Sequence, residues 1–477
     1  MWERFTFYGM RAVLILFLVA TVAAGGLGLD DKTAAAIYGL YNAGVYLAAL
    51  PGGWVADRLI GAQRAVMIGG LFITAGNLLL AISTSPRGFY IGLLVIILGV
   101  GLLKPNVSAI VAGLYPEGGA RLDSAFTIFY IGINIGGALG PLVIPLAQKI
   151  FGLRAGFGAG ALFMIIGVVQ FYLTRKYLGE AGVRATTVHA VGSDGIVPRS
   201  KEWLRLWIGV AALALVVLMV SVGWIPANAL RLGHAAAYII AGMGILYFIY
   251  YFLFADLTTE ERRRGVVLVV LFVGCALFFS GFEQAGSSLN LFAERYTDRM
   301  IGWLNFEIPT GWFQSLNSIF IVLCAPFFAW AWIALARHKL NPSAPAKFAL
   351  GLMLMGSGFL VMAAAATIVA HGSKVLPYWL LMTYLLHTFG ELCLSPVGLS
   401  YYTKLAPKRF VGQMMGMWFL ATSLGNLVAG LIAGEFDANN IAAMPGQYMH
   451  IVYFTVGVGA ILLVLSRPVK KLMGNVE

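Results

Sequence analysis

The sequence predicts an all-α integral membrane protein with about fourteen transmembrane helices. Of the 477 residues, 60% are hydrophobic and only 11% are charged, whereas a soluble domain has about 25% charged residues. Apolar runs of about 20 residues recur along the chain, and each is long enough to cross a hydrocarbon core of about 30 Å. A membrane β-barrel would instead show segments of about ten residues with alternating polarity. The sequence has no such alternation, so we exclude a barrel.

The apolar runs define the predicted spans, which are separated mostly by short charged loops. Their approximate limits are 2–24, 33–56, 64–82, 88–113, 123–148, 155–177, 203–222, 233–255, 265–293, 308–336, 346–370, 376–403, 409–434 and 446–466. The first run has an early charge and small residues near its end, as a cleaved signal peptide would. A secretory signal has no need of an acid such as Glu3 near its start, so we favour a membrane helix.

Basic residues between the spans predict the orientation of the chain. If the N-terminus lies in the cytoplasm, 21 Lys and Arg residues fall on the cytoplasmic side and 8 on the opposite side. Cytoplasmic loops of membrane proteins are enriched in Lys and Arg, so we expect both termini in the cytoplasm. The net charge of +12 is spread over these loops and is not gathered on one module, which argues against a nucleic-acid partner.

A polar stretch divides the chain into parts. Residues 179–202 include Gly182, Gly192, Asp194 and Pro198, a composition typical of a linker. We predict an N-terminal six-helix bundle (1–178), a cytoplasmic linker (179–202), an accessory transmembrane hairpin (203–255) and a C-terminal six-helix bundle with a cytoplasmic tail (256–477). Two bundles of this kind hold a substrate at their shared midplane and expose it alternately to each side.

Charged residues lie inside several predicted spans, where they are rare. A charge at the centre of a membrane helix costs about 2.5–3.5 kcal/mol in insertion measurements. Three acids and three bases, whose charges sum to zero, occupy such positions: Glu3, Arg4, Arg11, Lys104, Glu283 and Glu391. They could lock helices together as buried ion pairs, but a single pair would suffice for that. We therefore expect them to face a common wet cavity and to form a path for a substrate and for protons.

Polar side chains accompany these charges. Tyr8 shares a face of the first helix with Arg4 and Arg11, although a membrane tyrosine can also mark the lipid interface. Asn134 and Asn317 offer amide donors and acceptors from mid-span positions. Either amide could equally bond two helices, which contributes about 0.6–2 kcal/mol.

A stripe on the twelfth predicted span combines an acid with a hydroxyl. Ser395 lies one turn after Glu391, and His387 lies one turn before it. A carboxylate in this place can bind an ammonium group or accept a proton. We leave His387 out of the site, because a lone membrane histidine is more often a packing residue than a proton relay.

The loop between the second and third spans contains a short motif. Its members are Gly53, Asp57, Arg58, Gly61 and Arg64. Asp57 can cap a helix terminus and Arg58 can pair across it. We interpret the motif as a scaffold and gate that stabilises one conformation of the first bundle without touching a substrate.

Other function classes find little support in the residues. A membrane enzyme would need a nucleophile with a base, or a metal cluster, and the sequence shows neither arrangement. The three Cys residues lie in apolar runs without paired spacing, which argues against disulfides and metal ligands. A passive channel fits two bundles with gate pairs less well than alternating access does. We predict no cofactor, no metal, and a monomer within the lipid bilayer.

Several motifs resemble those of the proton-dependent oligopeptide transporters, a branch of the major facilitator superfamily. WERFTFYGMR at 2–11 is similar to the first-helix motif, and the loop at 53–64 is similar to the superfamily signature. Further matches follow in order: LLKPNVS around Lys104, FYIGINIGGAL at 129–139, FEQAGSSL at 282–289, QSLN at 314–317, and GELCLSPVGLSYYTKLAPKRFVGQMMGMWFL at 390–420. The matches span nearly the whole chain, and the last one is very specific.

The resemblance implies a major facilitator fold with twelve core helices and two extra ones, in a bacterial inner membrane. It also implies import of di- and tripeptides together with protons. Glu391 is similar to the acid that holds the peptide ammonium, and Arg4 and Lys104 match the bases that hold its carboxylate. Asn134 and Asn317 match the amides that grip the peptide backbone.

The pocket walls are also implied by the resemblance. Tyr8, Tyr46 and Trp418 resemble aromatic wall residues, and Phe279 stands where a tryptophan is common. The residues by themselves agree with a peptide cargo, because a short peptide is a zwitterion that needs an anionic and a cationic pole. The nearest alternative is a carrier of the same superfamily for drugs, nitrate or amino acids.

Two ion pairs resemble the gates of the family. Arg11 with Glu283, and Lys104 with Glu391, are similar to pairs that form and break as the outer and inner gates alternate. Protonation of Glu283 or of Glu3 would release the base beside it, and so bias the two-state equilibrium. The family's first-helix motif has another acid three residues before Glu3, so we expect the native chain to extend beyond Met1.

Overall fold

The computed structural model describes residues 1–115, 119–183, 199–224, 228–338, 340–436 and 440–474. The chain in these ranges is almost entirely helical. The helices are α1 (Trp2–Val19), α2 (Asp31–Val55), α3 (Ala62–Ile82), α4 (Pro86–Gly113), α5 (Gly119–Phe151), α6 (Ala155–Thr174), α7 (Arg199–Ser221), α8 (Ala229–Phe254), α9 (Thr259–Phe282), α10 (Ser288–Tyr296), α11 (Ser315–Arg337), α12 (Ala344–Ala370), α13 (Tyr378–Leu405), α14 (Val411–Ala433), α15 (Met444–Val464) and α16 (Ser466–Leu472). Strands β1 (Met300–Ile301) and β2 (Phe306–Glu307) pair antiparallel, with Met300 opposite Glu307.

The predicted all-α membrane fold is confirmed. Among the described residues, 13 helical stretches are long and apolar enough to cross a membrane. They correspond one to one with the second to the last predicted spans. The first predicted span is α1, which has 18 residues. It contains Glu3, Arg4 and Arg11, and this is more charge than an apolar span tolerates.

Several helix ends follow capping residues in the sequence. The carboxylate of Asp30 accepts the backbone N–H of Thr33 at 2.9 Å at the start of α2, and this bond holds the pKa of Asp30 below its usual range. Thr258 and Glu261 form a capping box at the start of α9. Gly61 has a φ of +83°, a left-handed conformation that separates the turn after α2 from the start of α3.

The helices pack around two hydrophobic cores. The first core consists mainly of residues from α1 to α6, which we call the first half, and the second mainly of residues from α8 to α15. We call α9 to α16 the second half. The halves meet chiefly where α2 packs against α14 and where α5 packs against α11. The predicted domain limits remain a prediction, and residues 184–198 of the predicted linker lie outside the described residues.

One predicted span is broken in the structure. We expected a continuous helix over 265–293, whereas α9 ends at Phe282, a 3-10 turn covers Glu283–Gly286, and α10 begins at Ser288. The hydroxyl oxygen of Tyr38 from α2 lies 1.8 Å from where a Cβ on Gly286 would stand. Only glycine allows this close approach. The break therefore lets α2 of the first half reach the backbone of the second half.

Candidate functional site

Two adjoining cavities lie between the halves. The smaller has a volume of about 210 Å³ and the larger about 950 Å³, and both are lined by Tyr8, Tyr46 and Tyr130. We call the end of the bundle where α1 begins the near end, and the opposite end the far end. The larger cavity reaches the near end, where it is lined by Met1 and Ser108.

The structure brings all the predicted binding residues to these two cavities. The smaller cavity is lined by Tyr8, Tyr46, Asn134, Phe279, Asn317, Glu391, Ser395 and Trp418, together with the predicted gate residues Arg11 and Glu283. The larger cavity is lined by Glu3, Arg4, Tyr8, Tyr46 and Lys104. The six charged residues are thus shared between two cavities, each with acids and bases, and the sequence alone did not indicate this division.

Glu391 is an acid without an ion-pair partner among the described residues. One of its carboxylate oxygens accepts a hydrogen bond from the amide nitrogen of Asn317 at 2.9 Å. The same nitrogen lies 3.1 Å from the hydroxyl of Thr388, which fixes the amide in place. The Glu391 carboxylate therefore has capacity to accept hydrogen bonds from a cation in the smaller cavity.

Two basic side chains, Arg4 and Lys104, line the larger cavity and not the smaller one with Glu391. Arg4 Nε is 2.9 Å from a carboxylate oxygen of Glu3, its neighbour on α1. Lys104 Nζ lies 3.5 Å from the centre of the Tyr46 ring, a cation–π contact. The predicted ion pair of Lys104 with Glu391 is not formed in this conformation. Neither residue belongs to any ion pair among the described residues. Lys104 is therefore without a carboxylate partner among the described residues, whereas Arg4 is paired with Glu3.

Asn134 and Ser395 are positioned differently from Asn317. The amide nitrogen of Asn134 donates to the backbone carbonyl of Tyr130 on its own helix at 2.9 Å. The hydroxyl of Ser395 has no hydrogen-bond partner in the described part of the chain. Both residues line the smaller cavity, and the hydroxyl oxygen of Ser395 is itself buried.

Aromatic rings form the apolar wall of the smaller cavity. Phe279 meets Trp418 edge to face, with ring centres 6.5 Å apart, and Trp418 also packs against Tyr402. Phe282 and Tyr130 complete this wall, and both were missed in the sequence. Aromatic residues are common throughout this chain, at 13%, so no pattern distinguishes those that face a cavity.

Arg11 and Glu283 form a buried ion pair between the halves. Arg11 Nη1 lies 2.6 Å from Glu283 Oε2, and both residues are buried. The Arg11 guanidinium also lies over the Tyr8 ring, 5.2 Å from its centre. Because Glu283 occupies the break between α9 and α10, it approaches α1 from a turn that an unbroken helix would not provide.

Further contacts close the far end. Arg295 on α10 makes a bidentate pair with Asp31 at the start of α2, at 2.5 and 2.7 Å. The amide of Asn290 donates to the backbone carbonyl of Ala12 at 2.9 Å. The ion pair of Arg295 with Asp31 was not predicted, because the sequence does not indicate which helix ends meet.

Ion pairs between the halves are confined to one part of the molecule. Among the described residues they are Arg11 with Glu283, Asp31 with Arg295, and Lys149 with Glu307. All lie between the middle and the far end. At the near end the cavity is bordered by Met1, Ser108 and Met415, without such a pair. The structure is therefore closed at the far end and open at the near end.

The loop motif lies away from both cavities. Gly53, Asp57, Arg58, Gly61 and Arg64 line neither of them. Asp57 and Arg64 are exposed. Arg58 instead pairs with Glu202 of α7, with 3.3 Å between Arg58 Nη1 and Glu202 Oε1.

Known proteins have similar sequences and a similar fold over almost the whole chain. A model of the POT family matches residues 63–450. The chain is 43% identical to "Peptide transporter YePEPT" from Yersinia enterocolitica subsp. palearctica, covering 100% of this chain and 94% of that protein. It is 34% identical to a "Di-/tripeptide transporter" from Lactococcus lactis subsp. cremoris, covering 100% and 95%.

Solved structures agree with these matches. A crystal structure of a mutant of peptide transporter POT in complex with alafosfalin has a TM-score of 0.89 and 37% identity, covering 99% of this chain and 94% of that one. A POT family transporter in complex with 5-aminolevulinic acid has a TM-score of 0.88 and 30% identity, covering 98% and 94%. The chain is a multi-pass membrane transporter that belongs to the POT family, the proton-dependent oligopeptide transporters.

Proposed function

We propose that this chain is a proton-coupled symporter that imports di- and tripeptides by alternating access. The observation that carries the proposal is the pair of opposite poles in one connected space. Glu391 offers an acid without an ion-pair partner on one side, and Arg4 and Lys104 offer bases on the other. A peptide at neutral pH has one ammonium and one carboxylate, which such poles bind by charge-assisted hydrogen bonds. Relatives named as peptide transporters support the same cargo.

Each part of the peptide then has a partner. The ammonium binds the Glu391 carboxylate, and the carboxylate binds Arg4 and Lys104. Asn134 and Asn317 bond to the peptide backbone, and Ser395 lies beside the acid. Tyr8, Tyr46, Phe279 and Trp418 contact the side chains. Phe279 and Trp418 give this wall an apolar surface, so it accepts side chains of different shapes without specific bonds.

Protons act on the two ion pairs of α1. A proton on Glu283 removes the charge that holds Arg11, and the far end loses one of its ties. A proton on Glu3 frees Arg4 on the same helix for the peptide carboxylate. Lys104 pairs with Glu391 only when the near end closes and the cavity empties. Reloading and release of protons thus bias the equilibrium between the two states.

The near end faces the cytoplasm in this proposal. The excess of Lys and Arg, 21 against 8, supports cytoplasmic termini, and the relatives are bacterial, which supports the inner membrane. The structure then corresponds to an inward-open state. A single chain contains both poles and all the gate pairs, which supports a monomer as the functional unit.

The test is uptake of labelled dialanine into liposomes that contain the purified protein. We expect accumulation when the interior is made alkaline, and little accumulation without the gradient. Glu391→Gln keeps the shape of the side chain but removes the charge, so it should raise the KM for dialanine at least tenfold, about 1.4 kcal/mol of binding free energy.

A matched cargo makes this test sharper. N-acetyl-dialanine lacks the ammonium, so its weak binding should change little in Glu391→Gln. Uptake of dialanine that ignores the gradient would contradict proton coupling while leaving peptide binding intact. Absence of any dialanine flux or binding would contradict the peptide cargo and favour a carrier for another substrate.

A further inference from the structure

Glu202 is a buried acid on a helix that is otherwise exposed. It is 2% exposed, while every other described side chain of α7 is partly or largely exposed. Its carboxylate oxygen Oε1 lies 3.3 Å from Arg58 and 2.8 Å from Arg205. An acid in the first turn of a lipid-facing helix does not need burial for solubility. Its burial indicates a docking contact.

Glu202 contacts the turn between α2 and α3. The segment that follows α6, the last helix of the first half, is bound next to this turn. Gln63 donates its backbone N–H to the carbonyl of Gly182 at 2.9 Å. Its side-chain amide donates to the carbonyls of Gly179 and Ala181 at 3.2 and 2.8 Å. Gln63 at the start of α3 therefore holds the segment that follows α6 by backbone and side-chain hydrogen bonds. The turn just before it holds α7 through the pair of Arg58 with Glu202.

The second helix of the hairpin lies at the seam between the two halves. α8 packs against α14 of the second half and to a similar extent against α2 of the first half. Tyr247 donates its hydroxyl to Gln413 at 3.0 Å, and Gly244 faces the ring of Phe272 on α9. The hairpin is thus attached at two places, with α7 on the turn after α2 and α8 on the seam where α2 meets α14.

A hairpin attached in this way cannot keep both attachments when the halves move. Rocking of one half against the other changes the distance between their surfaces. The α8 attachment is an extended packed face, whereas that of α7 is centred on one ion pair. We therefore expect the contact of α7 to break before the packing of α8 does.

We propose that Glu202 is a positioning residue that binds the accessory hairpin to Arg58 in the loop between α2 and α3 in the inward-open state, and that this contact breaks when the near end closes. The hairpin is then a tie that stabilises one of the two states, and Glu202 with Arg58 is its detachable end. This inference rests on the proposed alternation between two states. It assigns a role to a hairpin for which the sequence suggested none.

The first test measures docking directly. Spin labels on cysteines at Leu71 of α3 and Leu213 of α7, both exposed, report the distance from the first half to the hairpin in protein whose native cysteines are replaced by alanine. We expect a narrow distance distribution that widens in Glu202→Gln. Arg205→Ala is the matched control, because it removes the exposed partner of the same carboxylate and should leave the distribution narrow.

The second test measures the two states. Labels at Val22 and Trp303, which are exposed at the far ends of the two halves, report opening of the far end. We expect Glu202→Gln to lower the ratio of inward-open to outward-open protein about fivefold, the lower range of allosteric coupling. The reversed pair Glu202→Arg with Arg58→Glu should restore both the narrow distribution and the ratio.

An unchanged 71 to 213 distribution in Glu202→Gln would overturn the proposal, as would an equal effect of Arg205→Ala. A distribution that stays wide in the reversed pair would also overturn it, because charge would then not hold α7. Both distances are read without transport. Failure of peptide uptake would therefore contradict the proposed cargo, while the docking measurement would still decide the role of Glu202.

Discussion

The two ion pairs on α1 differ in what they join. Glu3 and Arg4 are neighbours on one helix, so breaking their pair frees an arginine without separating any elements. Arg11 and Glu283 join the two halves through a buried contact, so breaking this pair removes a tie between them. In the function we propose, the same chemistry, an arginine with a glutamate, therefore serves peptide binding in one place and gating in the other.

Glu283→Gln tests the gating pair. We expect uptake driven by the pH gradient to be lost, because an amide cannot take up and release a proton, while exchange of dialanine across the membrane continues. Loss of the carboxylate also leaves Arg11 buried without its counter-ion. Gradient-driven uptake and counterflow in the same liposomes are the two measurements.

Glu294→Gln is the control for this variant. Glu294 pairs with Arg299 within the second half and is partly exposed, so it joins nothing across the cavity. Preserved accumulation in Glu283→Gln, or equal loss of accumulation in both variants, would contradict a specific role of Glu283.

The site was predictable where charge decided it. The six charges within the spans indicated a wet cavity, because lipid excludes such groups. Each of the six lines one or the other of the two cavities. Tyr46, Phe279 and Trp418 depended on resemblance to a family. Phe282 and Tyr130 were missed, since an aromatic side chain is equally stable against lipid and against a cavity wall.

At the scale of helices, apolar length was a sufficient guide to where the spans lie. It gave no indication of the break at Glu283–Gly286, because apolar residues on both sides of that stretch were taken as one span and the stretch contains no proline. At the break Gly286 is approached closely by Tyr38, which comes from a distant part of the chain. For the same reason the pair of Asp31 with Arg295 could not be predicted: it requires knowing that α2 and α10 meet.

Gly286→Ala tests the close approach at the break. A Cβ there would stand 1.8 Å from the Tyr38 hydroxyl, and Tyr38 is fully buried, so neither group can move freely. We expect the free energy of unfolding to fall by about 1–3 kcal/mol, seen as a lower Tm in detergent, and a smaller inward-open fraction in the 22 to 303 distance measurement.

A matched glycine separates this effect from helix propensity. Gly457 of α15 has no heavy atom within 4 Å of its would-be Cβ, so Gly457→Ala should leave the Tm unchanged or raise it slightly. An unchanged Tm and state ratio in Gly286→Ala would show that the contact with Tyr38 does not hold the halves together.

The whole molecule is asymmetric along the membrane normal. Ion pairs tie the halves between the middle and the far end, and of the two adjoining cavities, of about 210 and 950 Å³, the larger reaches the near end. A solute bound between the poles therefore has one exit in this state. The direction of that exit in the cell depends on the orientation of the chain.

Cysteine labelling tests the orientation and the open end together. Ser108→Cys, in protein without native cysteines, should react with a membrane-impermeant maleimide in inside-out vesicles and remain unreactive in right-side-out vesicles. Val22→Cys, at the far end and 73% exposed, should give the opposite result. Reaction of both residues from the same side would contradict the proposed topology.

The charges of α1 also bear on how the protein is made. α1 leaves the ribosome before α5 and α6, yet Glu3, Arg4 and Arg11 raise the free energy of its insertion, by about 2.5–3.5 kcal/mol for a charge at the centre of a helix. In the finished protein α1 is covered chiefly by α5 and α6, which are synthesised more than 100 residues later. Stable membrane integration of the first helix thus has to await the fifth and sixth, and truncation of the nascent chain before α5 should leave α1 poorly inserted.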